Sequence, residues 1–117
     1  MSESGGPRIS VVIPTCRRPE LLARCLAAVL TQSIARDAYE VVVVDDGHDD
    51  ATRAAVERLQ PAGGAPALRY LRPARGRGPA VARNAGWRAA RAPVVAFTDD
   101  DTIPDARWLE EGERALA

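Results

Sequence analysis

Four short apolar runs, each closed by turn or charged residues and separated by stretches of helical periodicity, constrain this chain most. They predict an α/β fold, a mostly parallel sheet flanked by helices. Ile9 to Pro14 is a β-branched run ended by Pro, Thr and Cys. Pro19 to Gln32 then carries Leu21, Leu22, Cys25, Leu26, Val29 and Leu30 at helical spacing, and Pro19 suits a first helical turn. Tyr39 to Val44 predicts a buried strand closing on Asp45-Asp46-Gly47, followed by a helix from Asp50 to Leu59. Gln60 to Ala67 reads as a surface connection into a short strand, Leu68 to Leu71. Arg72 to Gly78, with Arg72, Arg75 and Arg77, reads as a basic loop. Pro79 opens a helix to about Ala90, and Val94 to Thr98 forms the fourth strand. A last helix holds Trp108, Leu109 and Leu116; Asp50 and Asp105 read as helix caps.

With 117 residues there is room for one domain, read as 8–117 behind a disordered tail of residues 1–7. The formal charge is zero, which gives no global pull toward nucleic acid. All sixteen basic residues are arginine. The absence of lysine excludes a Walker-type phosphate loop and Schiff-base chemistry, while arginine suits bidentate phosphate contacts. Cys16 and Cys25 are nine positions apart, with His48 the single histidine, which argues against zinc. Cys25 reads as a small apolar core residue. No segment approaches membrane-spanning length, so the cytoplasm is the expected compartment, with peripheral attachment to the inner membrane face as the variant.

In open parallel sheets the ligand crevice lies at the carboxyl ends of the strands. Here Pro14 to Arg18, Asp45-Asp46, Arg72 to Gly78 and Asp99-Asp100-Asp101 all fall at such ends and predict one site. Three adjacent acids repel one another, and a hard divalent cation bound together with phosphate oxygens relieves that repulsion. Arginines and a metal would clamp a diphosphate while acids hold ribose hydroxyls.

Four motifs resemble the inverting nucleotide-diphospho-sugar glycosyltransferases of family 2, with the GT-A fold. They are Ile9-Ser10-Val11-Val12-Ile13-Pro14-Thr15, Val43-Val44-Asp45-Asp46-Gly47, the segment from Arg77 through Arg83-Asn84 to Gly86, and Val95-Ala96-Phe97-Thr98-Asp99-Asp100-Asp101. The resemblance runs from Ile9 to Leu109 and implies the Rossmann-like, nucleotide-sugar-binding half of that fold. It implies that Pro14, Thr15 and Arg17 line the base pocket and that Asp45 or Asp46, Asp46 first, contacts the nucleobase. It further implies that Asp99 faces the ribose and, with Asp101, the metal, Mn²⁺ or Mg²⁺, as the outer acids of a DxD motif. Asp100 counts among the substrate-binding residues, although its side chain is expected to point elsewhere. Arg77 approaches the nucleotide, and Arg83-Asn84 support the helix beside the site. The implied donor is a UDP-sugar first, a GDP- or dTDP-sugar next; the acceptor is a glycan, a lipid or a small molecule.

Three departures matter. Cys16-Arg17 stand where the family commonly has an aromatic residue and Asn, which removes a stacking surface for the base. His48 replaces a usual Ser or Asn and reads as a solvated loop side chain, with a phosphate contact as the alternative. Family members also extend well past the DxD motif into an acceptor half that supplies the catalytic base, so the base is expected beyond residue 117. The alternative function is a truncated, non-catalytic nucleotide-binding or protein-interaction remnant. An uncovered sheet face would then favour self-association or a missing C-terminal half, with marginal stability. A receiver domain and a haloacid dehalogenase-type phosphatase both need a lysine that is absent, and Pro14-Thr15-Cys16-Arg17 is not the glycine-rich turn of a dinucleotide-binding module.

Overall fold

The computed structural model describes residues 6–74 and 77–117. Most of the expected tail, and Arg75 of the basic loop, lie outside the described residues. Strands β1 (Ile9–Thr15), β2 (Tyr39–Asp45), β3 (Ala67–Leu71) and β4 (Val94–Phe97) alternate with helices α1 (Pro19–Val29), α2 (Asp50–Arg58), α3 (Pro79–Ala89) and α4 (Trp108–Leu116). The sheet is wholly parallel, in the order β3-β2-β1-β4.

β1 and β2 are almost entirely buried, because helices cover both faces and continuous apolar runs are therefore required. Strand alternation divides their side chains. Ile9, Val11 and Ile13 with Tyr39, Val41 and Val43 meet Leu22, Cys25, Leu26 and Val29 of α1, Val56 of α2 and Leu109 of α4. Val12, Val42 and Val44 pack against Ala82 and Ala85 of α3 on the other face. Gly86 makes that second interface close, since a Cβ there would lie 2.3 Å from Val12 Cγ1 and 3.1 Å from Val44 Cγ2. The chain direction across the sheet reverses at β1, between β2 on one side and β4 on the other, which is where such sheets open a crevice.

The differences from expectation are local. α1 ends at Val29 instead of Gln32: the Gln32 carboxamide donates to Ala28 O at 3.2 Å and to Asp105 O at 2.9 Å, and accepts from Leu109 N at 2.9 Å. That side chain is thereby drawn into holding the last helix. Thr98 lies outside β4, although its N–H still reaches Val12 O at 3.2 Å. Asp50 is the first residue of α2 and not its cap; its exposed carboxylate pairs with Arg72 at 3.0 Å, while Asp49 precedes the helix and accepts from Thr52 Oγ1 at 2.8 Å. Asp105 accepts from Arg107 N at 2.9 Å, in the turn before α4.

β4 is an edge strand. Beside it Pro93, Val94, Val95 and Ala96 form, with Trp108, Leu109 and Leu116 of α4, an apolar groove of about 480 Å³. Among the described residues no helix is long and apolar enough to cross a membrane.

Candidate functional site

The carboxyl ends of β1, β2 and β4 and the first turn of α3 enclose a cavity of about 430 Å³. β1 and its loop contribute Pro14, Thr15, Cys16 and Arg18; the turn after β2 contributes Asp46; α3 contributes Pro79, Ala82 and Arg83; the segment after β4 contributes Asp99, Asp100 and Asp101. A polar cavity of about 550 Å³ adjoins it through Asp46 and is lined by Arg17, Gly47, His48, Pro73, Ala74 and Arg77.

The three consecutive acids do different things. Asp100 is buried, accepting from Thr15 Oγ1 at 2.8 Å and facing Arg18 Nη1 at 3.4 Å. It locks the β4 loop to the end of β1. Asp99 and Asp101 are exposed on either side of it, Asp101 with its Oδ2 3.9 Å from Arg18 Nη1. The Asp99 carbonyl accepts from Thr102 Oγ1 at 2.9 Å and from Cys25 Sγ at 3.5 Å, which fixes the turn from the core side. Burial, with added repulsion from Asp100, pushes the Cys25 thiol up to about 11, so it stays protonated and serves packing.

The Asp45-Asp46 pair divides in the same way. Asp45 is fully buried and accepts from Gly47 N at 3.1 Å, from Asp49 N at 2.9 Å and from the Tyr70 hydroxyl, with Arg72 Nε at 3.8 Å. Burial first, and then the bond to Asp45, push the Tyr70 phenol up. Arg53 and Arg72 also lie over the Tyr70 ring at 5.5 and 5.6 Å. Asp45 therefore shapes the loop and lines neither cavity. Asp46 is half-buried, lies in both, and accepts from Gly78 N at 2.9 Å, where Gly78 holds φ at 102°. Only a residue tolerant of positive φ makes that approach at low cost.

Of the residues expected from the sequence, Pro14, Thr15, Asp46, Arg83 and Asp99 to Asp101 share the first cavity, while Arg17 and Arg77 lie in the second. Asn84 is exposed on α3 and lines neither. His48 is an exposed loop side chain at the second cavity, as expected, with its Nε2 3.1 Å from Pro73 O. Arg18 was expected only as the end of the Pro14 to Arg18 cluster, with no role of its own. Its partners are more than eighty positions away and leave no local pattern.

Four carboxylates and two guanidiniums line the first cavity, an excess of negative charge that disfavours a diphosphate unless a cation enters with it. Among the described residues no three His, Cys, Asp or Glu side chains converge as a metal cage. The exposed Asp99 and Asp101 instead offer two hard oxygen donors, which suits Mg²⁺ or Mn²⁺ that complete their shell with substrate phosphates and water. The N-terminal turns of α1 and α3, beside Arg18 and Pro79, add partial positive charge at the same opening.

The sequence signature described as glycosyl transferase family 2 matches residues 10–116. The chain belongs to this family. Glycosyltransferase AglE of Haloferax volcanii is 35% identical over 111 residues, which are 95% of this chain and 36% of that protein. Validoxylamine A glucosyltransferase of Streptomyces hygroscopicus subsp. jinggangensis is 38% identical over 109 residues, 89% of this chain and 24% of that one. Among solved structures, the mannosyltransferase PcManGT of Pyrobaculum calidifontis, in complex with GDP-Man and Mn²⁺, superposes with a TM-score of 0.73 at 35% identity, over 84% of this chain and 28% of that one. S. aureus TarS residues 1–349 with UDP-GlcNAc gives a TM-score of 0.80 at 25% identity, over 93% of this chain and 31% of that one. This family 2 chain thus has the fold of the nucleotide-sugar-binding half of a GT-A enzyme and spans about a quarter to a third of the length of these four relatives.

Proposed function

We propose that this family 2 segment binds a nucleoside-diphosphate sugar together with a divalent cation, as the donor half of an inverting glycosyltransferase. The observation that carries the reading is the pair of exposed carboxylates, Asp99 and Asp101, held apart by the buried Asp100 and facing Thr15, Asp46 and the start of α3 across one cavity. Asp101 is assigned to the cation, Asp99 to the ribose and the cation, and Asp46 to the base. Arg83 and Arg77 are assigned to the phosphates or to the nucleotide's edge. When bound, the cation would supply charge neutralisation for the two phosphates and polarise the leaving diphosphate.

Mn²⁺ and Mg²⁺ both suit the donor set, and UDP, GDP and dTDP are the candidate carriers, with PcManGT and TarS supporting the guanine and uracil forms respectively. Cys16 offers no ring on which the base could stack, so base affinity rests on hydrogen bonds to Asp46 and on Arg17. None of the cavity's carboxylates is left over to accept the acceptor's proton, and that step falls to a residue outside this segment. The thiol of Cys16 is free and exposed, which favours the cytoplasm as the compartment proposed.

The test is calorimetric titration of UDP and GDP with Mn²⁺ into the wild type and Asp101→Ala. Asp101→Ala is expected to weaken nucleotide binding about 100-fold, or roughly 2.8 kcal/mol. Chelating the metal from the wild type should reproduce that loss. Asp37→Ala, before β2 and remote from the cavity, should bind as the wild type does. Absence of nucleotide binding in the wild type would overturn this reading and favour the protein-interaction form of the alternative.

A further inference from the structure

We propose that Arg18 is the resident counter-ion of the acidic cluster, and that its release from Asp101 couples cation binding to nucleoside-diphosphate binding; this rests on the donor-site reading. Arg18 Nη1 is 3.4 Å from Asp100 Oδ1 and 3.9 Å from Asp101 Oδ2, so a single guanidinium faces both carboxylates. The two pairs are not equivalent. The Asp100 side chain is 7% exposed and already bonded to Thr15, whereas the Asp101 side chain is 53% exposed and the Arg18 side chain 52%. Asp100 acts as a fixed tether, and Asp101 is the loose partner that solvent competes for.

A divalent cation on Asp101 meets Arg18 as a like charge within a few ångströms, too close for salt to screen. Cation binding alone must therefore displace the guanidinium or bear its repulsion. A diphosphate changes that balance, because phosphate oxygens offer the guanidinium a bidentate partner with more charge than a carboxylate. The nucleotide then draws Arg18 away from Asp101 and frees the carboxylate for the cation. By linkage, the cation raises nucleotide affinity by the same factor. Part of that coupling passes through Arg18 and not through the metal–phosphate bond.

The intact chain is titrated with Mn²⁺ alone, followed by the paramagnetic resonance of free Mn²⁺, then with UDP or GDP by calorimetry with and without Mn²⁺. The wild type is compared with Arg18→Gln and Arg18→Lys. Arg18→Gln should bind Mn²⁺ alone about tenfold more tightly than the wild type, bind nucleotide in the presence of Mn²⁺ about tenfold more weakly, and keep only the part of the coupling that runs through the metal–phosphate bond. Arg18→Lys, which keeps the charge, should return Mn²⁺ affinity to near the wild-type value. It also decides the matter should Arg18→Gln fail to fold, since a lysine variant with Mn²⁺ affinity far from the wild type overturns the proposal. Arg18→Gln binding Mn²⁺ no more tightly than the wild type overturns it too, and reduces Arg18 to a phosphate contact or a prop for Asp100. A wild type that binds no nucleotide even with Mn²⁺ defeats the donor-site reading itself, a pattern distinct from any shift between the variants.

Discussion

Replacing Glu40 with leucine is expected to lower the unfolding free energy by about 3 kcal/mol, the lower end of the cost of breaking a buried charge pair. Glu40 is 1% exposed within the apolar run of β2. It accepts from Ser10 Oγ at 2.6 Å, from Arg91 N at 2.8 Å and from Arg69 Nη1 at 3.0 Å, which joins β1, β3 and the connection from α3 into β4 through one carboxylate. Leucine would leave those donors without their acceptor. Arg69 keeps its bond to Ala89 O at 2.9 Å and is a quarter exposed, so water recovers part of the loss. In a domain of this size the melting temperature should fall by at least about 10 °C, measured by calorimetry. Glu40→Gln retains an oxygen acceptor and should cost about 1–2 kcal/mol.

Glu40 also sets an acid dependence. Burial pushes its carboxyl up, but the bonds from Ser10, the Arg91 backbone and Arg69 outweigh burial and hold it below the usual value. A folded value below the unfolded one, about 4.3, means that this contribution is complete above that pH and fades as the pH falls through the folded value. Glu40→Gln removes that part of the acid sensitivity, so the gap between wild type and variant should narrow as the pH is lowered through this range.

The second large effect is a reversal of sign between two glycines. Alanine in place of a helical glycine ordinarily stabilises by about 1 kcal/mol. At Gly112 in α4, where an added Cβ meets nothing within 4 Å, Gly112→Ala should follow that rule. At Gly86 the added Cβ would be 2.3 Å from Val12 Cγ1, and Val12 is a fully buried β-branched side chain that cannot swing aside. Gly86→Ala should therefore destabilise by about 1–3 kcal/mol, the cost of overpacking outweighing the gain in propensity. It should also weaken nucleotide binding, because α3 displaced from β1 and β2 carries Pro79, Ala82 and Arg83 away from Asp46. Urea unfolding of the two variants side by side checks the sign at each position.

The strands were readable because a parallel strand covered on both faces must be apolar throughout, and β1 and β2 are. The convergence of the charged clusters at one edge was readable for a related reason: the ends of parallel strands share one edge of the sheet, and there Asp46 and Asp99 to Asp101 line one cavity. What one residue does within a charged pair was not. Asp45 and Asp46 are neighbours in sequence, yet the strand pleat turns Asp45 into the scaffold and leaves Asp46 at the cavity. Asp100 likewise is buried between two exposed acids of identical chemistry. The roles of Arg18, Tyr70 and Arg72 were not legible because their carboxylate partners come from other strands and loops, at least 22 positions away. Glu40 did leave a signal, since an acid inside a continuous apolar run requires buried partners.

One cavity, at the carboxyl ends of β1, β2 and β4, is proposed to receive a metal-bound nucleoside diphosphate. Titrating ¹⁵N-labelled protein with UDP or GDP and Mg²⁺, then replacing Mg²⁺ with trace Mn²⁺, tests location and ligand together. Shifted amides are expected at Thr15, Asp46, Gly78 and Asp99 to Asp101, with Mn²⁺ broadening centred on Asp101 and none around Glu40 and Ala67 at the far end of the sheet. Saturable shifts elsewhere without change at those residues, or no shift at either end, would contradict it.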